Sequence, residues 1–244
     1  MFNVIKSEFT KILTLLSTYI VAVVLVLLAI LVGVITVVAG TVLTGDSSAA
    51  PNAIYSAVVT TLNTGIAVFA IIASLVILNE YRHNTIAYTV TASQSRYLVF
   101  GAKVIATLGY GLGLALVLSI VTAITASIAV VASGNSLSDQ VFSVGSALLH
   151  LGLYVSAYLL VGLFLGFILR NIIIVIVIVF VVPVIESILG VFLKEGATYL
   201  PFRAIGALAG GGESAAAAGV VLAALGYVLV LGVLAVVSFV KRDA

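Results

Sequence analysis

Polar and apolar residues segregate along this chain into long apolar blocks separated by short polar joints. Six blocks stand out, at about Tyr19 to Leu43, Ala53 to Leu78, Val104 to Ala132, Val141 to Leu169, Ile172 to Phe192 and Ala215 to Val240. Each reaches the ~20 residues that a helix needs to cross a hydrocarbon layer. Strands of a membrane barrel are about half as long and alternate strictly, which these blocks do not. The pattern predicts an all-α integral membrane protein with six transmembrane helices in a single domain over 1–244. The first block exceeds the about 7–15 apolar residues of a secretory signal, so it is read as a span.

Ahead of the first block the period changes. Phe2, Ile5, Phe9, Ile12 and Leu16 recur at steps of three and four, with Asn3, Lys6, Ser7, Thr10 and Thr14 opposite. This spacing predicts an amphipathic helix within 1–18, lying in the lipid headgroup layer and carrying Lys6, Glu8, Phe9 and Lys11. The competing reading is an early start to the first span. Against it stands the cost of placing Lys6, Glu8 and Lys11 in hydrocarbon.

Two joints are long. The segment 79–103 contains Gly101 only near its end, and no Pro or Gly over Asn79 to Arg96, so it reads as structured rather than as a flexible linker. The segment 193–214 is largely apolar in its middle, from Thr198 to Ala209, yet too short to cross and return as two full helices. It is expected to form a short re-entrant or interfacial element between spans five and six.

Composition closes off other classes. Hydrophobic residues make up 64% of the 244 and charged ones 7%, against about 45–50% and 25% in soluble domains. So little charge cannot hydrate a globule of this size. The net charge of +2 and the lack of a large basic cluster argue against a nucleic-acid partner. With no Cys, and only His83 and His150, neither a disulfide nor a thiolate or His-rich metal site is expected. No phosphate-binding G-x-x-x-x-G-K-[ST], no H-E-x-x-H and no G-x-S-x-G occurs. The chain is not expected to be an enzyme on its own.

Charge distribution sets the orientation. With the N-terminus inside, Lys6, Lys11, Arg82, Arg96, Lys103, Arg170, Lys241 and Arg242 fall on the inner side, and only Lys194 and Arg203 fall outside. The positive-inside rule then predicts cytoplasmic N- and C-termini in a cell membrane.

Within the spans, one acid and one histidine need explaining. Glu186 follows Pro183 in the fifth block, ~20 Å along the helix from its start. It is either a functional carboxylate or a structural tie to the outer surface, Lys194 or Arg203. His150, Tyr154 and Tyr158 share one helix face at four-residue spacing. They either line a translocation path with Glu186 or form a packed stripe. Gly109 with Gly113, and Gly162 with Gly166, are G-x-x-x-G pairs that permit close helix approach.

The joints carry a resemblance. Lys6-Ser7-Glu8-Phe9-Thr10-Lys11 in the leading helix, Glu80-Tyr81-Arg82-His83-Asn84-Thr85 at the end of the second span, Ser95-Arg96 with Lys103 opening the third, and Leu200-Pro201 before the sixth are similar to the permease subunit of type-2 ABC exporters. Asn84 stands where that family usually has glycine, and Gln94 lies near where it often has proline. Asn tolerates left-handed backbone better than most residues.

The resemblance implies a six-span fold working as a dimer, with a second copy or a homologue, beside two ATP-binding subunits. ATP and Mg would be held by those ATPase subunits and no cofactor by this chain. It also implies that Glu80 to Arg96 is the coupling element seated in a cleft of the ATPase. Glu80, Arg82 and Arg96 would then meet partner charges, and Tyr81, Ile86 and Tyr88 would supply apolar anchors alongside Asn84 and Thr85. The competing reading is that these charges only mark the membrane boundary. A different class remains open as well: an ATP-independent membrane transporter, or an immunity or assembly protein, with Glu186 and His150 as ion sites.

Overall fold

A computed structural model describes residues 2–14, 16–44, 52–83, 85–86, 95–137, 144–209 and 218–242. The described residues are helical, without strands. In chain order they form α1 (Phe2–Thr14), α2 (Leu16–Thr44), α3 (Ala53–Arg82), α4 (Arg96–Ala132), α5 (Val144–Leu169) and α6 (Ile172–Leu193). A 3-10 segment (Lys194–Tyr199), the short α7 (Pro201–Ala207) and α8 (Ala218–Arg242) follow. Six of these helices, α2 to α6 and α8, are long and apolar enough to cross a membrane, which makes this a multi-pass membrane protein.

Why α6 is a helix shows which force dominates. Its first eleven residues are Ile, Val and Phe, a run that in water would favour a strand. In hydrocarbon no water can satisfy the backbone, so each N–H must find a carbonyl within its own segment. The start of α6 is fixed by Asn171, whose side-chain oxygen accepts from the N–H groups of Ile173 and Ile174 at 2.9 and 3.4 Å. Just before it, Arg170 ends α5 in the left-handed region at φ 52°, with its N–H donating to Gly166 O at 3.1 Å. α6 runs on through Pro183, and Ser187 Oγ donates to the Pro183 carbonyl at 2.9 Å.

The helix limits bear on one joint in particular, where Tyr97 to Lys103 are expected from the sequence to extend the third span. α3 continues to Arg82 and α4 begins at Arg96, so the joint expected over 79–103 is helical at both ends. Asn84 and Tyr88 lie outside the described residues.

The chain divides into two compact units, one of Met1–Leu15, Ala67–Leu112 and His150–Ala244, the other of Leu16–Ile66 and Gly113–Leu149. In the second unit Val37, Ala53, Ala57, Ala126, Ala129 and Val130 form a core of small side chains. Thr122 Oγ1 donates to Thr61 Oγ1 at 3.2 Å there, both groups being buried.

In the first unit the two glycine pairs part ways. A side-chain carbon at Gly162 would overlap the backbone of Ala70, and one at Gly166 would press on Ile77 Cγ2 at 2.8 Å and Ser74 O at 3.2 Å. That pair is where α5 meets α3. Gly109 faces only the Phe9 ring at 3.6 Å, while Gly113 in the second unit meets nothing within 4 Å.

Gly162→Val should therefore lower stability by about 1–3 kcal/mol or more through overpacking against backbone. Gly113→Ala should leave the melting temperature in detergent unchanged or slightly raised. Thermal unfolding of the two variants checks the contrast.

Candidate functional site

α1 is amphipathic, but it does not turn a purely apolar face to the protein. Among its described side chains Ile12 and Glu8 are the buried ones, one turn apart, while Phe9 and Leu13 are exposed along with Lys6, Ser7 and Thr10. Glu8 is thus on the inner face. This position is tolerable only because cations meet it there.

Those cations come from α1 itself and from α4. Lys103 Nζ, with no solvent exposure, donates to Glu8 Oε2 at 2.6 Å and to Glu80 Oε1 at 2.7 Å. Lys11 Nζ, half-exposed, donates to Glu8 Oε1 at 2.6 Å and to the same Glu80 Oε1 at 3.0 Å. Two carboxylates and two ammonium groups balance to zero, and three helices are tied at one point. Burial pushes the Glu8 carboxyl up, but Lys103 and then Lys11 outweigh it and leave it below the ordinary glutamate value. Burial pushes Lys11 down, yet Glu8 and Glu80 together raise it above the ordinary lysine value.

Sequence reasoning named Glu8, Lys11 and Glu80 for other roles and left Lys103 at the membrane boundary. The missed signal was balance: two acids and two lysines on segments that flank apolar blocks, in a chain with little other charge.

Around this cluster the other residues expected in the coupling element separate. The Tyr81 ring lies under the Arg170 guanidinium, 4.6 Å from its centroid. Arg82 and Thr85 are exposed, and Ile86 is half-buried. The Thr85 N–H donates to the Glu80 carbonyl at 3.0 Å, closing the end of α3. Arg96 Nη1 donates to the Val240 carbonyl at 3.0 Å, near the end of α8. Glu80 faces inward rather than outward.

At the other end of the same unit, Glu186 is buried and both its oxygens are engaged. Oε1 accepts from Phe202 N–H at 3.1 Å and Oε2 from Arg203 N–H at 2.9 Å. Phe202 and Arg203 occupy the first turn of α7, so the carboxylate caps that helix from a distance. Tyr158 packs at a tilt against Phe202 with ring centroids 5.8 Å apart, and Tyr154 packs edge-on to Tyr158 at 5.2 Å. Both tyrosines are buried, and His150 is half-buried one turn before Tyr154. Tyr227 Oη donates to the Tyr199 carbonyl at 2.8 Å, tying α8 to the 3-10 segment.

One polar feature of the second unit was legible but passed over. Ser56, Thr60, Asn63 and Thr64 are all exposed on one side of α3. Ser56, Thr60 and Thr64 hydroxyls donate back to carbonyls one turn earlier, at 2.7 to 2.9 Å.

Among the described residues no group of three or more His, Cys, Asp or Glu gathers to hold a metal ion. The chain matches no family model, no curated protein and no solved structure.

Removing one member of the buried cluster should cost more than removing a matched pair. Lys103→Ala leaves two buried carboxylates sharing the half-exposed Lys11 alone and should destabilise by about 3–5 kcal/mol. Glu8→Gln combined with Lys103→Gln should recover part of that loss, as read by melting temperature in detergent.

The pKa directions also define a pH window. The Glu8 contribution is present above pH 4.5 and lost as pH falls through its lowered value. The Lys11 contribution is present below pH 10.5 and lost as pH rises through its raised value. Glu8→Gln should flatten the acid limb of the melting-temperature profile.

Loss of the cap in Glu186→Ala should cost about 0.5–2 kcal/mol. It should also increase proteolytic cutting near α7, which limited proteolysis reads directly.

Proposed function

We propose that this chain is the membrane permease subunit of a type-2 ABC exporter, driven by a separate ATPase subunit that carries ATP and Mg. The observation that carries this reading is the buried Glu8–Lys103–Glu80–Lys11 cluster. It joins three of the segments on which the resemblance rests, and it binds α1, α3 and α4 into one body at the base of the α3–α4 connection. A force applied to that connection is therefore delivered to three helices together, rather than absorbed in a loop.

In this reading the ATPase seats against the connection through Thr85 and Ile86, with Asn84 between Arg82 and Thr85 in sequence. Glu80 holds the lever together instead of touching the partner. Arg96 stabilises the opposite flank by capping α8. The end bearing the cluster faces the cytoplasm of a cell membrane, which also puts Arg82, Arg170 and Lys241 on the side the positive-inside rule favours. The 3-10 segment and α7 form the outer element between spans five and six.

The chain works as a dimer with a second copy or homologue. The exposed Ser56, Thr60, Asn63 and Thr64 face of α3 lines the path, since polar side chains on a spanning helix belong on a cavity or a partner rather than on lipid. Tyr154, Tyr158 and Glu186 support the outer element. The two backbone bonds on the Glu186 carboxylate argue against its use as a proton site, and with it against the ATP-independent reading.

Co-purification with an ATP-binding subunit and stimulation of its ATPase test the proposal. Ile86→Asp should reduce that stimulation by about tenfold or more, as loss of a buried anchor at an interface does. Its melting temperature should stay at the wild-type value. Full stimulation by Ile86→Asp would remove the docking assignment, and transport without any ATPase would remove the exporter reading.

A further inference from the structure

A cleft of about 350 Å³ opens between the last two turns of α3 and the turn that joins α5 to α6. Its apolar wall is Leu75, Leu78 and Ile172, and its polar rim includes Asn79, Arg82 and Arg170. Among the described residues, no acidic residue lines it. The nearest acid in sequence, Glu80, has its Oε1 committed to Lys11 and Lys103 on another side of α3. Arg82 and Arg170 are thus the charged residues of the lining. Its shape is held rather than chosen by a ligand, since Arg170 sits in a left-handed turn with its guanidinium over the Tyr81 ring.

Two properties point to the class of ligand. Guanidinium groups suit a phosphate or phosphodiester. The apolar wall continues along the open flank of α6, where Ile173, Ile174 and Val177 are exposed. A free phosphate would leave this wall unused, whereas a lipid would set its phosphate at the rim and its acyl chain along α6. The cleft also lies at the ends of membrane-spanning helices, where basic pockets between helices take anionic headgroups.

We propose that this cleft binds the headgroup of an anionic phospholipid, with Arg82 and Arg170 as its cationic contacts. The proposal rests on the multi-pass character of the chain and not on the exporter reading.

The test is a lipid titration of the purified full chain followed by native mass spectrometry. Phosphatidylglycerol and phosphatidylcholine with identical acyl chains are compared, and inorganic phosphate is added as a competitor. The wild type should bind phosphatidylglycerol about fivefold or more tightly than phosphatidylcholine. Arg82→Glu should abolish that preference, and Arg170→Gln should reduce it by about fivefold. Lys241→Glu, an exposed charge change on α8 away from the cleft lining, should retain it.

Arg82 is exposed, so its variant should melt like the wild type in phosphatidylcholine, and it decides the matter if Arg170→Gln does not fold. Equal binding of the two lipids would overturn the proposal. So would an unchanged preference in Arg82→Glu, or an equal loss in Lys241→Glu. Displacement of the lipid by inorganic phosphate at equimolar concentration would assign the site to free phosphate and overturn the lipid assignment.

Discussion

Lys103 has no access to solvent, and its ammonium lies between carboxylates supplied by two other helices. An isolated ion in such a place would carry a desolvation penalty of several kcal/mol. It is held there because Glu8, Glu80 and Lys11 complete a neutral set. The position of α1, the end of α3 and the second turn of α4 all follow from that closure. A hydrophobic contact could slide by a residue at small cost, whereas moving any one of these helices would pull a buried charge away from its opposite. A buried set of this kind adds little net stability, and its constraint on the three helices is geometric.

The same logic recurs at the opposite end of that unit with backbone in place of lysine. α7 is only seven residues long, and its first-turn N–H groups need acceptors. Glu186 provides both of its oxygens, and Tyr158 and Tyr154 pack beneath Phe202. An acid inside an apolar block, which invites a reading as an ion-binding group, is here a fastening for a short helix. The Glu8–Lys103–Glu80–Lys11 cluster and the α7 cap are each built from residues far apart in sequence, and each uses charge in the interior to fix a polar segment against spanning helices.

Where the helices approach most closely, charge plays no part. Gly162 and Gly166 let α5 reach the backbone of α3, as small residues do when no aqueous hydrophobic effect drives association between spans. Gly109 and Gly113 have the same spacing and no such contact. The motif marks an ability to pack closely, and the neighbour decides whether that ability is used.

The six spans and the amphipathic character of α1 were legible in the sequence because the rule behind them is local. In hydrocarbon every backbone N–H must be satisfied within its own segment, so even the Ile and Val run at the start of α6 has to be helical. The scarcity of charge was legible too, and it drew attention to the joint from Glu80 to Arg96 and to Glu186 as places needing a reason. The reasons themselves were not. Which face of α1 is buried, that Glu80 turns inward, that Glu186 holds α7, and which glycine pair is in contact depend on what another helix brings to the same point. Only the tertiary structure decides that, because the cost of a buried charge or an added methyl group is set by its neighbours in space.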